Sequence, residues 1–445
     1  MSELPKQWQS VLPHLGHELP EDVAPPAARD GAGVSVNVPI ELVRQSLSPR
    51  EFWDIPEPVL EQYRRYRPTP LWRADAFAKA VGAKVPIYVK YEGGNVSGSH
   101  KFNTALAQAY YYRQAGVTEL VTGTGAGQWG TALAAACAQF GLRCTVFMVA
   151  GSLRRKPYRG TLMRLLGATL HESPSPLTDV GRAVTADRPG NSLAVAIGEA
   201  VAYAAEREGC AFAIGSGETY SILHQSVVGS EAIDQLRALG ADVDAVVGCV
   251  GAGSNFGGIA LPVFASAARD GVPPPLLLAA ESSTTPKLTR GVYAYDRTDS
   301  AGRGPMEAMY TVGSEYAIPD SHSAGLRYHG SAKLLSAMRH HDQIAATAIG
   351  QAEALSVAHT FVRQEGVLPA PESGHALAAA VRLAVDGVHD RGREHRAADG
   401  VLVCVSGHGL LDLGAYDQLL AGELSDEIPE ERLIRLATDN LVRPT

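Results

Sequence analysis

The sequence predicts an α/β protein whose parallel sheets are covered by helices on both faces. Three observations carry that expectation. Short β-rich runs ending in Gly or Ser alternate with Ala/Leu-rich helical runs along most of the chain. The strand-like runs are apolar throughout instead of alternating, the pattern of strands buried on both sides. The chain has 445 residues, 45% hydrophobic and 19% charged. That is enough for two or three domains with a large buried core.

The elements follow in order. Residues 1–50, rich in Pro, Ala and Glu, predict an irregular arm with a short helix near Glu41–Ser46. Glu51–Arg65 predicts a helix that RPTPL (67–71) stops, because Pro68 and Pro70 cannot continue it. Strand-to-helix units then succeed one another. VPIYVKYEGG (85–94) leads into SHKFNTALAQAYYYRQAG (99–116), and ELVTGTGAG (119–127) into QWGTALAAACAQFG (128–141). CTVFMVA (144–150) leads into PYRGTLMRLLG (157–167), and DAVVGCVGAGS (244–254) into NFGGIALPVFASAA (255–268). VLVCVSGHG (401–409) closes the set.

Composition removes several classes of function. A net charge of −8 without a basic run argues against nucleic acid or an anionic membrane as a partner. No apolar stretch reaches the ~18 residues of a membrane span. The N-terminus lacks the charged and apolar regions of a secretory signal, so a cytoplasmic enzyme is expected. The cysteines, Cys137, Cys144, Cys210, Cys249 and Cys404, are scattered and lack metal-ligand spacing. They read as buried thiols in a reducing compartment, and no metal site is expected.

In parallel sheets ligands bind at the carboxyl ends of strands, and five loops there carry polar or glycine-rich sequence. Gly98-Ser99-His100-Lys101-Phe102-Asn103 sets Lys101 at a helix start. The positive potential there disfavours an ammonium and lowers its pKa. Such a lysine suits Schiff-base chemistry with an aldehyde cofactor, the plain alternative being a solvated surface lysine. Gly251-Ala252-Gly253-Ser254-Asn255 follows an apolar strand, where backbone N–H groups and a helix dipole suit a phosphate. Its spacing is neither the dinucleotide fingerprint nor the nucleotide P-loop. Gly125-Ala126-Gly127-Gln128-Trp129 is a second anion loop, sized for a carboxylate. Ser406-Gly407-His408-Gly409 offers a hydroxyl able to share a neutral hydrogen bond with a pyridine nitrogen. Glu372, in Glu372-Ser373-Gly374-His375, reads first as a helix cap.

Together GSHKFNTALAQAYY, TGAGQWG, KPYR (156–159), LHQSVVG (223–229), GCVGAGSNFGG, LRYHG (326–330), PESGHALA and SGHGLLDL resemble the tryptophan synthase beta chain family. The WG after GAGQ, the LRYHG and the SGHGLLDL point to its second, divergent subgroup, which typically stands apart from the alpha subunit. The motifs run in order over about residues 65–415. The resemblance implies a pyridoxal phosphate (PLP) enzyme of fold type II, two three-layer α/β domains with the cofactor between them. It implies an N-terminal arm (1–50), a large domain (51–95 with 211–445) and a smaller one (96–210) carrying the mobile substrate-carboxylate loop. By matching positions, Lys101 would carry the cofactor covalently and remove the substrate's α-proton. His100, Gly251, Ala252, Gly253, Ser254 and Asn255 would hold the phosphate. Asn103 would touch the phenolic oxygen, Glu372 would lie near the ring, and Ser406 would meet the pyridine nitrogen. Gly123, Thr124, Gly125, Ala126, Gly127, Gln128 and Trp129 would bind the substrate, with Arg327 and His329 toward its entrance. A homodimer is implied, without an alpha subunit, and a monovalent cation held by backbone carbonyls is common in the family.

Two departures matter. The family pattern reads Glu-Thr-Gly-Ala-Gly-Gln, and here Gly123 stands in place of the glutamate. That glutamate protonates the departing serine hydroxyl and later takes a proton from indole, help worth about 10²–10⁴-fold. Glu218, in GSGETYSILHQ, stands where the family has an apolar residue; it reads as a loop glutamate or as a relocated acid–base group. Three explanations for Gly123 compete: a leaving group that needs no proton, another acid in the site, or room for a bulkier nucleophile. The expected function is β-elimination or β-replacement on a serine-like amino acid through an aminoacrylate, with an indole-like nucleophile as one acceptor. Ordinary tryptophan synthesis, a deaminase releasing a 2-oxo acid, a non-catalytic PLP- or amino-acid-binding homologue and a nucleotide-binding enzyme are the rivals.

Overall fold

The structure, a computed structural model, describes residues 3–24, 38–184, 193–298 and 304–444. Its larger sheet has six strands, in the order Ala345–Ile349, Leu276–Ser282, Ala245–Cys249, Val401–Val405, Ile87–Tyr91 and Leu71–Arg73. The first five are mutually parallel. The last, a three-residue edge strand following the prolines of RPTPL, is antiparallel to its neighbour, a departure from the all-parallel expectation. The smaller sheet is fully parallel, in the order Thr169–Ser173, Arg143–Val149, Glu119–Thr124 and Cys210–Phe212. Its last strand runs two residues past the domain boundary expected at 210.

The apolar strands are buried on both faces because successive side chains point opposite ways. Val401, Val403 and Val405 pack with the helix Pro371–Val385, through residues such as Leu377 and Ala380. Leu402 and Cys404 join the opposite core with Phe256 and Ile259 of the helix Ser254–Asp270. The smaller sheet behaves likewise. Leu120 faces the core that holds the helices Lys101–Gln114 and Gln128–Phe140. Val121 faces Ala196 and Ala200 of the helix Leu193–Ala205. Two residues along, Gly123 is on that same face.

Two expectations need correction. Glu51–Arg65 is not one helix. Phe52–Asp54 forms a strand antiparallel to Gln7–Gln9, and the helix is confined to Glu57–Tyr63. Pro56 and Pro58 explain the break, since proline is tolerated at a helix start and not within it. The arm is also more ordered than its composition suggests. Trp8 is fully buried, its ring centroid 4.5 Å from that of His224, and the short helix occupies Ile40–Leu47. Residues 25–37 of the arm lie outside the described residues.

A buried ionic network ties the Lys101 helix to the larger sheet. Arg67 donates to Glu92 at 2.9 and 3.0 Å, to Glu231 at 2.8 and 2.9 Å, and to Asn103 Oδ1 at 2.8 Å. Lys90 Nζ donates to Glu231 at 2.8 Å.

Candidate active site

Lys101, the first residue of its helix, sits where two cavities meet at the carboxyl ends of both sheets. One cavity, of about 410 Å³, is lined by the Gly251–Asn255 turn, His100, Cys249, Glu372 and Ser406. The other, of about 670 Å³, is lined by Gly123 to Ala126, Gln128, Trp129 and an apolar wall. Lys101, Gln128, Ser216, Ala252 and Gly325 line both.

Burial lowers the Lys101 amine below the ordinary lysine range, and Arg159 adds to this against the opposing pull of Cys249 and Glu372. Desolvation is the first cause that lowers the amine. His100 is held neutral, its pKa well below the imidazole range through burial first and then the Lys101 charge. Its Nδ1 lies 3.2 Å from the Ser406 carbonyl and its Nε2 3.3 Å from Ser254 Oγ. A carbonyl only accepts, so Nδ1 carries the proton and Nε2 accepts from the serine.

The turn needs its glycines. A Cβ on Gly251 would lie 2.3 Å from the Gly325 carbonyl. Gly253 has φ +143°, and a Cβ there would strike Leu335 at 2.4 Å. The bare backbone leads straight into the 17-residue helix Ser254–Asp270, whose first N–H groups suit an anion. At the far end of the cavity Ser406 Oγ is 2.8 Å from Ser373 Oγ and 3.5 Å from Cys249 Sγ. Burial pushes the Cys249 thiol up to about 11, so these three groups are uncharged at neutral pH and suit a neutral ring nitrogen.

Glu372 is buried and does more than cap its helix. Its carboxylate accepts from the Gly325 N–H at 2.9 Å and from Gln128 Nε2 at 3.2 Å. It is the only carboxylate among the described residues lining either cavity. In the carboxylate loop Thr124 Oγ1 accepts from the Gly127 N–H at 3.2 Å, and Trp129 Nε1 donates to Thr122 Oγ1 at 2.8 Å. Gly123 leaves no open space: a Cβ there would lie 2.5 Å from the main chain of Ala196 and Ile197. That counters the explanation that glycine makes room for a bulkier nucleophile.

Five residues expected in the site or at its entrance are not among those lining it. Asn103 lies two residues from Lys101, a spacing that does not share a helix face. Its amide donates to Glu92 and Gln225 and accepts from Tyr66 and Arg67, so it serves the buried network. Glu218 precedes the helix Thr219–Leu239 and interacts with Asp22, Lys333 and Glu307, not with the Lys101 cavities. Arg327 pairs with Asp320 at 2.6 Å and donates to the Ile318 carbonyl at 3.0 Å, while its neighbours Leu326 and Tyr328 line the cavities. His329 is likewise withdrawn, donating to the Arg297 carbonyl at 2.9 Å. Gly127 backs onto Arg159 and lines neither cavity. Cys249, Ser216 and the wall of Leu193, Ile197, Phe212, Ile214 and Tyr328 were not predicted. Tyr328, inside LRYHG, and Cys249, inside GCVGAGSNFGG, stood within motifs the sequence had singled out.

An anion turn, a desolvated lysine and an uncharged hydroxyl facing one cavity fit a phosphorylated pyridine aldehyde. Fold and site define a PLP-dependent enzyme of fold type II, and a family described as "Pyridoxal-phosphate dependent enzyme" matches residues 63–407. The chain belongs, more narrowly, to the tryptophan synthase beta chain family. It is 42% identical to the tryptophan synthase beta chain of Thermococcus onnurineus over 97% of each chain. It is 43% identical to tryptophan synthase beta chain 2 of Aeropyrum pernix, over 97% of this chain and 96% of that one. Among solved structures, processed threonine deaminase isoform 2 of Solanum lycopersicum shares the fold, with TM-score 0.60 and 15% identity. That match covers 91% of this chain and 97% of the other. An L-serine ammonia-lyase of Rhizomucor miehei matches with TM-score 0.58 and 17% identity, over 80% of this chain and 98% of that one. The chain is a PLP-dependent lyase. Among the described residues no helix is long and apolar enough to cross a membrane.

Proposed function

We propose that this enzyme catalyses β-elimination or β-replacement on a serine-like amino acid whose leaving group departs without a proton from the protein. The observation that carries this is the main chain of Ala196 and Ile197, 2.5 Å from the Cβ position of residue 123. No acid of any length fits there. Glu218 faces other partners, and both oxygens of Glu372 already accept hydrogen bonds. Hydroxide, a poor leaving group, would lack its donor, whereas an acyl ester or thio substituent needs none. A phosphate is less favoured, because Lys101, the one lysine or arginine among the described residues lining the cavities, would be engaged by the cofactor. The wall of Trp129, Leu193, Ile197, Phe212, Ile214 and Tyr328 suits an apolar, indole-like acceptor.

The residues present would hold the cofactor as follows. The Gly251–Asn255 backbone and Ser254 would take the phosphate, Lys101 the aldehyde carbon, and Ser406 the ring nitrogen. When bound, PLP supplies an electron sink for the substrate's α-carbon. Lys101, whose ammonium burial disfavours, would take the α-proton. The Thr124–Gln128 loop orients the carboxylate. Glu372, by tying Gln128 to Gly325, holds the two lobes together over the reacting carbon and limits entry of water.

Holoenzyme incubated with L-serine, L-threonine, O-acetyl-L-serine, O-phospho-L-serine or L-cysteine, with and without indole, tests the reading. Released leaving group and amino-acid product are quantified by chromatography. O-acetylserine is expected to exceed serine by about 10²–10⁴-fold. Tryptophan formation from serine and indole as fast as from the acetyl ester overturns the proposal.

A further inference from the structure

Lys287 opens the one-turn helix Lys287–Arg290 and is fully buried. It lines neither cavity. Among the described residues its ammonium has one hydrogen-bond acceptor, the Val250 carbonyl at 3.4 Å. Val250 is the residue that joins the strand Ala245–Cys249 to the Gly251–Asn255 turn. The opposing charge is Glu281, also fully buried. Its carboxylate accepts from the Leu288 and Thr289 N–H groups at 2.8 and 2.9 Å and from Thr289 Oγ1 at 2.6 Å. Glu281 therefore anchors the next turn of chain and reaches Lys287 only through its field.

An ammonium has three donors. Buried with one long bond, it is costly unless another anion compensates it. The anion-binding backbone lies just beyond Val250. Burial lowers the amine to about 8, against the opposing pull of Glu281 and Cys249, so it is mostly charged at neutral pH.

We infer that Lys287 is a built-in cation behind the phosphate turn: it holds the Val250 carbonyl, steadies the cofactor's phosphate from the far side and makes a bound monovalent cation unnecessary. This departs from the cation dependence that the family resemblance implies. Lys287 is thus a positioning residue. The inference rests on a phosphate seated on the turn, and is independent of the leaving-group reading.

The test uses holoenzyme in choline chloride, NaCl, KCl and NH₄Cl at one ionic strength. It follows both turnover and loss of cofactor absorbance after dilution. The wild type is expected to behave alike in all four salts. At an effective dielectric near 20, even a unit charge about 10 Å from an anion changes its affinity by roughly tenfold or more. Lys287→Met is therefore expected to lose cofactor faster by about that factor in choline, with partial rescue by potassium or ammonium. Stimulation of the wild type by potassium or ammonium, or unchanged cofactor retention in Lys287→Met, overturns the inference. If that variant does not fold, the wild-type salt series decides alone. A wild-type chain that holds no cofactor through Lys101 would instead sink the site itself.

Discussion

A methyl group at residue 123 would overlap the main chain of Ala196 and Ile197, so the consequence of this single position is steric before it is chemical. Gly123→Ala is expected to destabilise the protein by about 1–3 kcal/mol, the usual cost of overpacking. Gly123→Glu is expected to cost more and to fail to restore serine dehydration, because the helix leaves the carboxylate no place. Urea unfolding and 2-oxo acid release from serine check both variants. A well-folded Gly123→Glu that turns over serine faster would show that the helix yields. At this scale the motifs were largely legible. Lys101, Gly251, Ser254 and Ser406 line one cavity because each holds a backbone position at a strand end, which a short run of sequence specifies. Asn103 and Glu218 fall outside the lining of both cavities for the opposite reason. Which way a side chain points depends on helix phase and on partners far away in sequence, such as Gln225 for the first and Asp22 for the second.

At the scale of elements, the helix Leu193–Ala205 converts a glycine into a closed wall, and the junction of arm, strand and long helix gathers acids. Burial, with Glu218 and Asp22 beside it, pushes the Glu307 carboxyl up to about 8 from 4.5. A raised folded pKa contributes stability that is complete below the unfolded value and lost as pH rises through the folded one. Stability should therefore fall between about pH 4.5 and 8, and Glu307→Gln should flatten that fall. Urea midpoints at the two ends of the window measure it, and an equal drop in wild type and variant would refute the assignment. The strand Phe52–Asp54 was hidden from sequence reasoning because its partner, Gln7–Gln9, lies more than forty residues away. The helix Lys101–Gln114 was readable because its hydrogen bonds are local.

Across the whole molecule, ionic ties connect the two sheets. Asp412 forms an ion pair with Lys156 at 2.5 Å and accepts from Arg159 at 2.8 Å in a buried site, and Asp320 pairs with both Arg155 and Arg327. The Arg67 network fastens the Lys101 helix to the larger sheet. Glu231→Ala would leave Arg67 with Glu92 alone as its carboxylate and Lys90 with only the neutral acceptors Thr69 and Gln235, and breaking a buried pair this way typically costs about 3–5 kcal/mol. Equilibrium unfolding in urea tests this; a loss well under 1 kcal/mol would mean that water or repacking replaces the carboxylate.

The sequence alone determined the layered α/β architecture, the lysine, the anion turn and the absence of an acid at position 123, because strand apolarity, glycine spacing and helix starts are local in the chain. Tertiary packing alone decided that Ala196 and Ile197 fill the space over Gly123, that Glu372 is the carboxylate left in the cavity, and that Lys287 lies behind the turn. Those facts are distances between segments tens of residues or more apart, and only the packing of helices against sheets sets such distances.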